Sequence, residues 1–118
     1  MRQHEIAKYL LDIADACHLV MQFTTGRTLA DYRADPMLRS AVERQFEIIG
    51  EALRQALRLD PKLAERITDA DRIIAFRNRL IHGYATVSSD VVWGVIEANL
   101  PRLKQEVAAL LHEAGEEE

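Results

Sequence analysis

Residues 35–58 read DPMLRSAVERQFEIIGEALRQALR, and this stretch decides the predicted fold of the 118-residue chain. Asp35 followed by Pro36 predicts a helix start, because aspartate caps helices and proline fits their first turn. Apolar residues cover more than one face of this helix, so both faces must be buried. We expect one face in the core and the other against a second copy of the chain. Gly50, which costs about 1 kcal/mol relative to alanine in mid-helix, predicts close approach by another backbone, such as that of the partner copy.

Helical periodicity continues on both sides of this stretch. A narrow apolar stripe predicts a first helix over 3–24, and the segment 26–35 is expected to break it. After Pro61, a further turn of helix is expected. The later predicted boundaries are a helix start at Thr68 or Asp69, an end near His82 with Gly83 as the stop, a last helix from Ser88 or Ser89, and a kink or restart at Asn99 and Pro101.

The predicted fold class is therefore all-α, an antiparallel four- to five-helix bundle. Its length fits one domain over residues 1–112, followed by an acidic tail over 113–118. Cys17 lies in the stripe of the first helix and is expected in the core.

The charge distribution limits what this chain can bind. Its net charge is −4, and four of its 19 acidic residues stand in the tail, so residues 1–112 are neutral. This is not the basic footprint of a duplex-binding protein, and no DNA partner is expected. Without an 18-residue apolar run, no membrane span is predicted. The single cysteine and the charged N-terminus favour the cytoplasm.

The stretch RNRLIHGY, residues 77–84, carries the unusual feature of the chain. On an ideal helix Arg77 points in nearly the same direction as Ile73, Ile74 and Ile81, so it lies in an apolar stripe. Burying an unpaired guanidinium costs several kcal/mol, and an anionic group is therefore expected beside Arg77. The neighbouring Arg79 and Arg72 point the opposite way and are expected to be solvated.

The side chains of this stretch are suited to one kind of chemistry. Arg77 provides a fixed cation for phosphate contact, and the imidazole of His82 is a group that transfers protons. Together they are the minimum for metal-independent RNA cleavage. Asn78 and His82 share a face, but His82 lies about 140° from Arg77 on an ideal helix. They converge on one ligand only if the helix ends between them or two subunits contribute.

The same residues are also compatible with ordinary structural roles. No Cys/His metal spacing and no Gly-rich phosphate loop is present, so no metal or cofactor is predicted. In an ordinary helical protein His82 would interact with the helix dipole and Tyr84 would pack. Arg77 would then extend to solvent or pair with a glutamate of a neighbouring helix, namely Glu43, Glu47 or Glu51.

RNRLIHGY resembles the R-x4-H-x-Y signature of the HepT-like toxins, a branch of the HEPN superfamily of helical ribonucleases. Arg77, His82 and Tyr84 match the signature without gaps, and Asn78 matches the polar residue that often follows its arginine. The resemblance covers most of the chain and includes the segments EIIGEAL (47–53), IIAFRNRLIHGY (73–84) and VVWGVIEANLPRLKQEV (91–107).

This resemblance implies a symmetric homodimer that cleaves RNA without metal at an interface cleft. By analogy Arg77 binds the phosphate, His82 is the acid/base group and Asn78 orients the substrate or the histidine. The implied partner is a minimal nucleotidyltransferase antitoxin, which would transfer AMP to Tyr84 and block RNA. The alternatives are a non-catalytic helical binding partner of a nucleotidyltransferase and a helical protein unrelated to nucleic acid.

Overall fold

The computed structural model describes residues 2–83 and 87–115, which form six α-helices and one short 3-10 helix with no strand among them. The all-α prediction is confirmed. The elements are α1 (Arg2–Thr24), α2 (Leu29–Ala34), α3 (Pro36–Leu59), the 3-10 helix (Pro61–Glu65), α4 (Ala70–His82), α5 (Ser89–Ala98) and α6 (Leu100–Glu113).

Helix α3 lies at the centre of the fold and packs against α1 and α4. Its start is as predicted: Pro36 is its first residue, and the Asp35 carboxylate accepts a hydrogen bond from the Leu38 amide at 3.0 Å. One face of α3 is buried in the core by Leu38, Val42, Phe46, Ile49, Ala52, Leu53 and Ala56. The other apolar face is only partly covered within one chain, and Met37 at its start is 82% exposed.

Helix α2 occupies the segment where the sequence predicted only a break. A reciprocal capping box starts it, in which the Thr28 hydroxyl accepts from the Asp31 amide and the Asp31 carboxylate accepts from the Thr28 amide. This single short helix places Tyr32 in the core, with its ring 5.5 Å from that of Trp93. The predicted break was therefore wrong in detail, because the capping box starts a helix here and the burial of Tyr32 stabilises its six residues.

The start of α4 is fixed by contacts with α6 rather than by its own cap. Asp69, the residue before α4, has a left-handed backbone with φ of 58° and makes no side-chain capping bond. Its carboxylate pairs with Arg102 at 3.0 Å, and Glu106 accepts from the Thr68 amide at 3.0 Å. The helix ends at His82 as predicted.

The last predicted helix is divided in two at Asn99. Asn99 makes no side-chain cap, and Pro101 stands in the first turn of α6. The predicted start is confirmed, since the Ser88 hydroxyl accepts from the Val91 amide at 3.2 Å. This division and the additional α2 raise the helix number above the four to five predicted. Helix α6 extends through Glu113, the first residue of the predicted tail, and pairs there with Arg66.

Candidate active site

Arg77 lies on α4 directly against Gly50 of α3. A Cβ atom built on Gly50 would be 2.2 Å from the Cβ and 2.6 Å from the Cγ of Arg77, much closer than real atoms come. The aliphatic stem of Arg77 therefore lies directly on the backbone of α3. The predicted close approach at Gly50 is confirmed, but the approaching group is a side chain of the same chain, not a partner's backbone.

The guanidinium of Arg77 has contacts on two sides. Its Nη2 is 3.3 Å from Glu51 Oε1, and its Nη1 donates to Asn78 Oδ1 at 3.0 Å. The side chain is 20% exposed. The buried Nε has no acceptor within the described part of the chain. The anion expected beside Arg77 is thus Glu51, one of three glutamates that the sequence left open.

Neighbours on its own helix hold the Glu51 carboxylate in place. Arg54 donates to both carboxylate oxygens, at 3.1 and 2.9 Å, and Gln55 donates to one of them at 2.9 Å. The hydrogen bonds from Arg54 and then from Gln55, with a smaller contribution from Arg77, lower the pKa of Glu51 to about 2. Glu51 is therefore ionised at neutral pH, and its hydrogen bonds come from Arg54 and Gln55 of its own helix.

A groove of about 240 Å³ lies beside Arg77, between α1, α3 and α4. Its apolar wall includes Ile81, which is 40% exposed. The remaining wall of the groove is formed by polar, charged and apolar side chains of α1 and α3. The other lining residues are Tyr9, Asp12, Arg44, Glu47, Ile48, Glu51 and Ala52. Arg77 thus lies at a groove that is lined by both charged and apolar side chains.

The structure brings only part of the predicted site together. Asn78 is exposed and contacts Arg77, whereas His82 is the exposed last residue of α4. No hydrogen bond or ion pair joins Arg77 to His82 in residues 2–83 and 87–115. Tyr84, the predicted AMP acceptor, lies outside the described residues.

Neither a metal cage nor a membrane helix occurs in the described part of the chain. Among residues 2–83 and 87–115, no group of three or more His, Cys, Asp or Glu side chains could hold a metal ion. Within the same ranges, every helix is too short or too polar to cross a membrane.

A second cleft, of about 280 Å³, lies on the opposite side of α4. Phe46, Phe76 and Leu100 contribute to its apolar floor, and Arg72 and Arg79 lie at its edge. Both arginines are exposed, which confirms the prediction made for them.

Gly50 and Glu51 together are a part of the site that was not predicted from the sequence. Both residues stand in the segment EIIGEAL, next to each other in mid-helix. A glycine in mid-helix allows another element to come close to the backbone, so the residue next to the glycine lies within reach of that element. Gly50 therefore predicts a close contact, but not that a side chain of the same chain makes it.

Similar proteins agree with the resemblance noted in the sequence. A protein of Thermococcus cleftensis named "Probable ribonuclease HepT" is 35% identical over 100 residues, covering 81% of this chain and 86% of that protein. A Methanocaldococcus jannaschii protein, whose name assigns it provisionally as an RNase, is 28% identical over 91% of this chain and 97% of its own length. No solved structure matches the chain at a significant level. The class indicated is an all-helical ribonuclease.

The family follows from a second comparison. The model of the family described as "Ribonuclease HepT-like" matches residues 13–110, which include α3, α4 and the whole groove apart from Tyr9 and Asp12. The chain belongs to the HepT-like ribonuclease family.

Proposed function

We propose that this chain is a metal-independent endoribonuclease and the toxin of a toxin–antitoxin pair, with Arg77 and His82 acting at a cleft between two copies. The observation that carries the proposal is the state of Arg77. Arg77 lines the groove with a side chain that is 20% exposed, and Glu51 and Asn78 contact its guanidinium on two sides. A fixed and partly exposed cation suits a phosphate.

The proposed reaction is a transfer within the RNA strand. The 2′-oxygen forms a bond to phosphorus and loses its proton, while the bond from phosphorus to the 5′-oxygen breaks and that oxygen gains a proton. Arg77 stabilises the charge that builds on the phosphate oxygens. His82 removes the first proton or supplies the second. The product is a 2′,3′-cyclic phosphate, and no metal takes part.

The dimer is proposed because Arg77 and His82 are separated on α4. They lie about 140° apart on the helix, which a single copy does not bridge. The groove beside Arg77 carries the half-buried Ile48 and the exposed Ile81, an apolar surface that a second copy would cover. A symmetric pair of grooves would bring Arg77 of one copy towards His82 of the other.

Control by a nucleotidyltransferase antitoxin is proposed from the position of Tyr84, two residues after His82. The phenol oxygen would attack the α-phosphorus of ATP and release pyrophosphate. The attached AMP would then place negative charge beside His82 and exclude RNA. Incubation with ATP and the cognate nucleotidyltransferase should add mass in AMP units, and Tyr84→Phe should abolish the addition. Labelling that persists in Tyr84→Phe would assign the modification elsewhere.

The direct test is cleavage of single-stranded RNA in EDTA. We expect the wild type to cleave RNA to cyclic or 3′-phosphate ends, and His82→Ala to lose this activity while keeping its helical content and its dimer. A wild type that binds a nucleotidyltransferase but cleaves no RNA would instead support the non-catalytic binding partner. Activity that requires added metal would contradict the proposed roles of Arg77 and His82.

A further inference from the structure

We infer that Gly50 and Glu51 of α3 form a cradle that fixes the guanidinium of Arg77, so that Glu51 is a positioning residue for this arginine. The cradle consists of the exposed backbone at Gly50 and the carboxylate of Glu51. Its role in RNA cleavage rests on the proposed function, but its existence does not.

The first half of the cradle holds the stem of Arg77. Any side chain at position 50 would occupy the space of the Arg77 Cβ and Cγ, which lie 2.2 and 2.6 Å from the place of a Cβ there. The stem is therefore confined between α4 and the bare backbone of α3. This confinement removes much of the rotamer freedom that a long arginine side chain otherwise keeps.

The second half of the cradle holds the charged end. The carboxylate of Glu51 is held by Arg54 and Gln55 at 2.9–3.1 Å, and Arg77 Nη2 is 3.3 Å from it. On the other side, Asn78 accepts from Nη1 at 3.0 Å. Glu51 and Asn78 thus set the plane of the guanidinium from opposite ends.

These contacts leave Arg77 available to an anion. A guanidinium has five N–H donors, and the contacts with Glu51 and Asn78 involve only its two terminal nitrogens. The Nε–H is buried and unpaired in the described part of the chain, so an anion from solvent would bind the remaining N–H groups of the two terminal nitrogens. Because the shorter contacts of Glu51 are those with Arg54 and Gln55, the carboxylate orients Arg77 without taking up its donors. Ordering before binding lowers the cost of binding a phosphate.

The test combines a readout of Arg77 itself with a readout of cleavage. Nitrogen-15 NMR would follow the Nε–H of Arg77, assigned by its absence in Arg77→Lys. Glu51→Gln removes the charge but keeps an oxygen acceptor for Arg54 and Gln55. Glu97→Gln, at an exposed position of α5, makes the same charge change away from the groove and is the matched control.

In Glu51→Gln we expect the Arg77 Nε resonance to shift and its N–H to exchange faster with water. We expect kcat for RNA to fall about tenfold with a smaller change in KM, as for a misplaced catalytic group. Glu51→Asp, which keeps the charge but withdraws it by one methylene, should be intermediate. Glu97→Gln should match the wild type in both readouts. A helical circular-dichroism signal equal to that of the wild type at the assay temperature would exclude unfolding as the cause.

Two results would overturn the cradle. One is an Arg77 resonance that is the same in Glu51→Gln and the wild type. The other is a kcat that is unchanged or raised in Glu51→Gln while Arg77→Ala abolishes cleavage, because Glu51 would then only compete with RNA. If the wild type cleaves no RNA but the resonance still depends on Glu51, the proposed function fails and the cradle stands.

Discussion

Helix α4 carries arginines on two sides, and these arginines differ in exposure and in contacts. The side chain of Arg77 is 20% exposed, lies on the backbone of α3 and contacts Glu51 and Asn78. Arg79, two residues later and about 200° around the helix, is exposed and has no side-chain partner in the described part of the chain. The same cation is therefore fixed on one side and free on the other.

The neighbouring helix, not the residue type, therefore defines the candidate site. Gly50 allows α3 to approach α4, and the approach brings Glu51 within reach of Arg77. A free surface arginine such as Arg79 adds general attraction for RNA but no geometry. A fixed arginine such as Arg77 holds its guanidinium in one position relative to the phosphate, which phosphoryl transfer requires.

The largest expected effect is the difference in RNA cleavage between the alanine variants of Arg77 and Arg79. Arg77→Ala should lower kcat for RNA about 100- to 1,000-fold, the usual cost of removing a donor that stabilises transition-state charge. Arg79→Ala removes the same charge from the other side and should change cleavage by only about threefold, since it affects attraction alone. Steady-state cleavage of one RNA at fixed salt would measure both. Equal losses would remove the distinction between the two sides of α4.

A smaller effect is expected from closing the space that Arg77 occupies. Gly50→Ala should lower the free energy of unfolding by about 1–3 kcal/mol, because the new methyl group overlaps the Arg77 stem. Gly94→Ala, at an exposed position of α5 with no atom within 4 Å of the added Cβ, should raise it by about 0.5–1 kcal/mol. Chemical denaturation would give both values. A stabilising Gly50→Ala would contradict the close contact between α3 and α4.

The groove beside Arg77 is expected to contribute to the dimer interface, unlike other exposed apolar residues. Ile81→Asp should weaken the proposed dimer by at least about tenfold, or about 1.4 kcal/mol, because it buries a charge in the interface. Val91→Asp changes a residue of α5 that is similarly exposed, at 42%, but lies outside the groove residues, and should leave the dimer unchanged. Sedimentation velocity over a concentration series would compare the two variants. Dissociation by Val91→Asp alone would assign the interface to another surface.

The smallest effect concerns the pH dependence of stability. The pKa of Glu51 is lowered from its ordinary 4.5 to about 2, first by the Arg54 hydrogen bonds. A lowered carboxyl pKa stabilises the fold above the unfolded pKa, and this contribution is lost as pH falls through the folded one. The difference in melting temperature between wild type and Glu51→Gln should therefore narrow from about pH 4.5 to about pH 2. Since Glu51 is 38% exposed, the contribution should stay below about 1 kcal/mol. A constant difference would contradict the lowered pKa.

Much of the site was predictable because local signals specify it. Asp35 and Pro36 defined the start of α3, and the periodicity of α4 showed that Arg77 lies in an apolar stripe. The need for an anion beside it followed from the cost of burying a guanidinium. Each of these inferences depends only on residues that are close in sequence.

The choice among the three glutamates was not made from the sequence, because it depends on the height of contact between two helices. Glu43, Glu47 and Glu51 all point within about 100° of Gly50 around α3. They differ along the axis, where Glu43 is about 10 Å from Gly50 and Glu51 about 1.5 Å. Only a known contact between Arg77 and Gly50 selects Glu51. Helix α2 was missed for a simpler reason: its Thr28–Asp31 capping box stands beside Gly26 in a segment too short for periodicity.

The central claim is that RNA cleavage requires Arg77 of one copy and His82 of the other. Mixing Arg77→Ala and His82→Ala chains and allowing their subunits to exchange tests it most directly. Half of the dimers would then be mixed. Each mixed dimer would hold one site with both Arg77 and His82 and one site with neither. We predict that either variant alone is inactive and that the mixture recovers about a quarter of wild-type activity. A mixture that stays as inactive as the separate variants, despite demonstrated subunit exchange, would contradict a site shared between two copies.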